Sequence, residues 1–217
     1  MSILNQCPQG STINDIPLGC DFKIGQVQKI IVMLTFSTGI TKNKWVKAVA
    51  NPNVKASWTP RLSATNGTKV VQTPFMVSPN IEPGKPVSSG SGNDALSGAA
   101  SIIGEDPSVF TAKFENLNQL SYNALRTFNA GVQISIAFVD EHGHLFMNTD
   151  DMDNPTVYYP LPVCKKTFFV GSRKGGQFNV NDVNEITFML FPGWDEKLVR
   201  IVPEDFDALS DLATINS

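Results

Sequence analysis

Val27-Gln28-Lys29-Ile30-Ile31-Val32-Met33-Leu34-Thr35-Phe36 sets the architecture of this chain. Its β-branched and large apolar residues favour a pleated backbone, and Gly25 and Gly39 bound it, so it reads as a strand. A strand with one face in water alternates apolar and polar residues, but the centre of this one is apolar on both faces. Both faces are therefore expected to be covered, either by the sheet's own partners or by a neighbouring subunit.

Working outward, residues 108–117 alternate, with Phe110, Ala112 and Phe114 on one side and Thr111, Lys113 and Glu115 on the other, the pattern of a half-buried strand. Leu120, Ala124, Leu125 and Phe128 recur at helical spacing over residues 118–129, with Asn118 as cap and Gly131 as stop, which predicts one amphipathic helix packed on the sheet. Residues 132–139 form a strand with Val132, Ile134, Ile136 and Phe138 on one face, and Glu141-His142-Gly143-His144 turns it into Leu145-Phe146-Met147. Strands are expected over residues 165–170, 185–191 and 197–202, the last two joined as a hairpin by Pro192-Gly193-Trp194-Asp195. Residues 42–50 read as a short helix or strand, residues 70–77 as an edge strand broken by Pro74, and residues 204–212 as a short closing helix.

About seven or eight strands with one clear helix favour a mainly β fold, a β-sandwich or barrel with one flanking helix, over a parallel α/β plan. Two segments stand apart. Residues 1–25 mix Pro8, Gly10, Pro17 and Gly19 with isolated apolar residues and read as an extended arm. Residues 78–104 are rich in Pro, Gly and Ser and read as a long structureless loop, of the kind that is disordered or functional. Residues 26–217 are expected to be a single domain, and 217 residues suffice for a full hydrophobic core.

Only 17% of the residues are charged, against about 25% in ordinary globular domains, and surfaces poor in charge suit burial in interfaces. A net charge of -3 argues against a protein that grips nucleic acid by neutralising phosphates. No apolar run is long enough to span a bilayer, so membrane embedding is not expected. The first residues lack a basic segment followed by an apolar one, and Cys7, Cys20 and Cys164 are too scattered for a disulfide framework; both features suggest cytoplasmic synthesis.

The motifs of chemical interest are incomplete. His142 and His144 with Cys164 or Cys7 offer zinc-type ligands without zinc-type spacing. Asp150-Asp151-Met152-Asp153-Asn154 is dense in carboxylates but lacks the glycine and closing glutamate of a calcium loop. Gly171-Ser172-Arg173-Lys174-Gly175-Gly176 lacks the Lys-Ser/Thr ending of a phosphate loop and reads as a basic turn. No Gly-x-Ser-x-Gly nucleophile turn exists, and no pair of carboxylates stands out for glycoside chemistry. No catalytic, cofactor-binding or metal residue is therefore assigned, and the chain is expected to be non-enzymatic. Trp45, Trp58 and Trp194 with Tyr158 and Tyr159 would suit either packing or a carbohydrate-binding face.

Phe168-Phe169-Val170-Gly171-Ser172, Asn184-Glu185-Ile186-Thr187-Phe188, Pro192-Gly193-Trp194-Asp195 and Val199-Arg200-Ile201-Val202-Pro203 resemble virion structural proteins of tailed phages, particularly tail tube proteins, with some similarity to those of phages infecting Bacteroidetes. The resemblance extends loosely over residues 27–202 and consists of style and strand order. It implies subunits that form hexameric rings and stack into a hollow tube, with DNA passing through a mildly acidic lumen. It further implies that residues 78–104 reach to an adjacent ring and that residues 1–25 lie on a neighbour. Ile3, Leu4, Ile81, Pro86, Leu96, Ile102, Ile103 and Trp194 are then the residues expected at contacts between subunits. The expected location is the virion, in company with other tail or neck proteins. The proline and glycine of the amino end suit a head-tail connector or baseplate component as well as a tube.

Overall fold

The structure, a computed structural model, describes residues 23–90, 100–176 and 178–213. The arm expected over residues 1–25 lies outside these apart from its last three residues, as does most of the middle of the loop expected over 78–104.

In chain order the strands are β1 (Val27–Leu34), β2 (Phe36–Thr38), β3 (Thr41–Lys42), β4 (Trp45–Val46), β5 (Val70–Gln72), β6 (Val77–Glu82), β7 (Pro86–Ser89), β8 (Ser101–Glu105), β9 (Ser108–Glu115), β10 (Ile134–Asp140), β11 (Leu145–Thr149), β12 (Val157–Tyr159), β13 (Leu161–Pro162), β14 (Phe169–Val170), β15 (Val183–Leu190) and β16 (Leu198–Ile201). Two short helices, α1 (Thr59–Leu62) and α2 (Gln119–Arg126), interrupt them. The larger antiparallel sheet runs β4-β12-β11-β10-β1-β5, with β13 on β10 and β16 on β11; the smaller runs β14-β15-β9-β6.

The sheets face each other across one continuous core that includes Ile30, Val32, Phe110, Phe114, Ile136, Phe138, Ile186 and Phe188. Phe110 stacks on Phe188 at 4.6 Å between ring centres and lies 5.4 Å from Phe138. A second core, with Ile31, Met33, Trp45, Trp58, Val70, Ala137, Val139 and Leu145, covers the opposite face of the larger sheet. Neighbouring residues of β1 and β10 point to opposite faces, so each strand serves both cores. The cover on the second face comes from this chain: Leu62 in α1, and Phe206, Ala208, Leu209 and Leu212 near the carboxy end.

Three expectations need correction. Residues 70–77 are not one broken strand. β5 closes the edge of the larger sheet and β6 the edge of the smaller, with residues 73–76 crossing between them. Thr73 makes the crossing tolerable: its amide donates to the Ile30 carbonyl at 2.9 Å and its hydroxyl accepts from the Ile30 amide at 3.0 Å, while Pro74 has no amide to satisfy. Residues 192–195 do not close a hairpin either, because β15 pairs in the smaller sheet and β16 pairs with β11 in the larger. The turn carries Trp194 inward, edge-on to Phe138 at 6.0 Å, with its Nε1 donating to Ser108 Oγ at 3.1 Å. Residues 204–212 are a series of turns, not a helix. The Leu209 and Ala208 carbonyls that a helix would use accept instead from Lys29 Nζ and Gln72 Nε2, fastening this segment over the second core.

α2 keeps its expected cap, Asn118 Oδ1 accepting from the Ser121 amide at 2.7 Å, and its stop, Gly131 at φ 79°. Its inward face differs. Leu125 is buried, and Tyr122 and Phe128 pack on the core, while Leu120 is 77% exposed and Ala124 faces outward. Val132 likewise lies outside β10 and is exposed.

Candidate assembly surfaces

The described residues of the stretch 78–104 are not the structureless loop expected there. β7 and β8 pair into a ribbon that is a sheet of its own, joined to neither core sheet. Its base is drawn tight: the Asp106 amide donates to the Lys85 carbonyl at 2.9 Å, and Gly84 lies so close to the Asp106 carbonyl that a Cβ would stand 1.8 Å from it. Every residue of β8 is exposed, including Ile102 at 73% and Ile103 at 67%. The register skips one residue at Ile103, a bulge of the kind that re-aims side chains at sheet edges.

The second surface is a groove of about 540 Å³ between the free edge of β5 and helix α2. Val71, Pro74, Leu125 and Phe128 give it apolar walls, and its lining holds Lys29 and Lys69 but no carboxylate. Lys29 is already engaged, with Nζ on the Leu209 carbonyl at 2.7 Å and over the Phe75 ring at 4.1 Å, so Lys69 is the exposed charge. Sequence reading missed this groove because its walls come from segments far apart in the chain and meet only through the sheet order.

The residues expected at subunit contacts fall into three groups. Pro86, Ile102 and Ile103 lie exposed on the ribbon. Ile81 is half-buried and packs against the main core, and Trp194, at 9% exposure, is a core residue. Trp194 therefore presents no open surface for such a contact, whereas Ile81 keeps part of its side chain accessible. Ile3, Leu4 and Leu96 lie outside the described residues.

The sequence motifs resolve into structural roles. Asp140, buried at the β10–β11 turn, accepts from the amides of His142 and His144 at 2.9 and 2.8 Å, and its Oδ2 lies 3.1 Å from His144 Nδ1. Cys164 belongs to a different strand connection, its amide donating to the Met189 carbonyl at 2.8 Å. Among the described residues no three His, Cys, Asp or Glu side chains form a group able to hold a metal ion.

Asp150 clamps the β11–β12 connection. Its carboxylate accepts from the Thr156 hydroxyl, the Val157 amide, the Thr156 amide and the Thr149 hydroxyl, and these bonds, the Thr156 hydroxyl first, hold its pKa well below the usual carboxylate range. In the basic turn, Arg173 donates to the Leu117 carbonyl at 2.6 Å and lies 3.9 Å from Asp182.

Trp45 and Trp58 are fully buried with rings 4.7 Å apart, so with Trp194 in the other core the tryptophans form no open sugar-stacking face. Among the described residues no helix is long and apolar enough to cross a membrane.

These features define the chain as a mainly β protein of two facing antiparallel sheets, with a separate exposed ribbon and an open edge groove. No family model matches the sequence, and no curated protein matches it significantly. Among solved structures it aligns with a chain of the tail of an empty GTA particle of C6 symmetry, at 9% identity and a TM-score of 0.33, over 54% of this chain and 77% of that one. A likeness that slight leaves the fold to rest on the sheets themselves.

Proposed function

We propose that this chain is a non-enzymatic structural subunit that assembles with copies of itself into the rings or tube of a phage tail, forming a conduit for DNA in the virion. The observation that carries the reading is the β7–β8 ribbon, with Ile102 and Ile103 in water. A two-stranded hairpin alone is marginally stable, and apolar side chains on it gain by burial against another surface. The strands of the larger sheet need no such help, because both of its faces are covered from within the chain. Assembly is thus a property of the ribbon and of the outer surface. The resemblance of residues 168–203 to tail tube proteins supplies the tail, the sixfold ring and the DNA passage, and the net charge of -3 agrees with a lumen that does not hold DNA.

The test is electron microscopy and light scattering over a concentration series, on the full chain and on a chain with residues 87–104 replaced by a short Gly-Ser turn. Rings or tubes from the first and monomers from the second are expected. A full chain that stays monomeric at every concentration would overturn the proposal.

A further inference from the structure

We infer that the groove between β5 and α2 receives strand β8 of a second copy, so that the ribbon of one subunit extends the larger sheet of the next. This rests on the self-assembly proposed above and identifies the surface that accepts the ribbon.

The Thr73 amide donates to the Ile30 carbonyl and the Ile30 amide to the Thr73 hydroxyl, so residues 73 and 30 face each other with their hydrogen-bonding groups turned inward. Along the register Val71 faces Val32 and Gln72 faces Ile31, so the hydrogen-bonded pairs alternate and the N–H and C=O groups of Val70 and Gln72 point away from β1. Among the described residues no strand lies on that side. A free edge of this kind is a template for an added strand.

The ribbon offers the complement. Its two outer edges differ: β7 begins with Pro86, which cannot donate, whereas β8 has no proline. β8 also carries Ile102 and Ile103, and the wall of the groove, made by Leu125, Phe128 and Val71, is apolar. The charges match as well. Lys69 sits exposed in a lining that contains no carboxylate, and Glu105 and Asp106, against the single Lys85, leave the base of the ribbon beside the two isoleucines net negative. Donor and acceptor are different surfaces, so the contact is head-to-tail, the type that closes into a ring when the rotation between copies permits.

The test places the photo-reactive residue p-benzoylphenylalanine at position 103 of the full chain. Irradiation of a mixture with isotopically labelled wild-type chain is followed by mapping of the cross-linked peptides. Cross-links from position 103 to residues 69–74 or 119–128 of the other copy are expected. Lys69→Glu and Glu105→Lys should each raise the concentration needed for assembly about tenfold, and the two together should restore it, as for a charge pair worth about 1.4 kcal/mol. Both positions are exposed, so the variants should fold. If microscopy shows assemblies while position 103 cross-links elsewhere, or the double variant fails to recover, the groove is not the acceptor although self-assembly stands. If nothing assembles, the proposed function fails and this inference with it.

Discussion

The chain contains the same dipeptide in two opposite settings: Ile30-Ile31 in β1 and Ile102-Ile103 in β8. The first pair is 0% and 1% exposed, the second 73% and 67%. Both lie in strands, and both strands have an antiparallel partner, so neither residue type nor secondary structure accounts for the difference. What differs is the layer above. β1 lies between two cores supplied by its own chain, whereas β8 pairs with β7 and, among the described residues, is left with every one of its own residues exposed. Strand formation and burial are separate decisions, and only the second separates a core from a surface offered to a partner.

Four substitutions test this contrast. Ile30→Ala should cost about 2–5 kcal/mol, seen as a lower urea midpoint with an unchanged slope, because it opens a cavity between two packed sheets. A cost below that of a surface substitution would mean that the main core is not the stabilising unit. Asn118→Ala, at the helix that walls the groove, should cost about 1 kcal/mol through loss of the bond to the Ser121 amide.

Asp150→Asn addresses a loop held by hydrogen bonds and not by burial, and its smaller effect should depend on pH. Because the folded pKa is depressed, the carboxylate's contribution is present above the unfolded value of about 3.9 and is lost as pH falls below it toward the folded value. Denaturation midpoints measured at about pH 6, 4 and 3 should therefore fall less steeply for the Asn variant than for the wild type. Smallest of all, Ile102→Ala should change monomer stability by no more than about 0.5 kcal/mol, since its side chain leaves no core behind. A loss as large as that of Ile30→Ala would show that the ribbon packs within its own subunit.

Much of the fold was legible because its signal is local. Apolar residues on both faces of residues 27–36 announced a doubly covered strand; Phe110, Ala112 and Phe114 announced the inward face of β9; Asn118 and Gly131 bounded the helix region. The failures share one cause. Pro74 and Pro192-Gly193 were read correctly as breaks, but whether a break turns a strand back or carries it to the facing sheet depends on where Thr73 and Trp194 find their partners. On the inward face of α2, Leu125 and Phe128 stand as read, but Tyr122 takes the place of Leu120 and Ala124, because the helical spacing fits either set until a sheet lies beneath it.

Legible from the sequence alone are the long strands β1, β9, β10 and β15, the covering of β1 on both faces, and the unlikeness of residues 78–104 to the rest. That the cover comes from within the chain, that those residues contain a paired ribbon, and that a free edge faces α2 were settled by long-range packing. Periodicity records the environment of each residue along its own element, whereas sheet order and open edges arise from contacts between residues far apart in the chain, which no local pattern encodes.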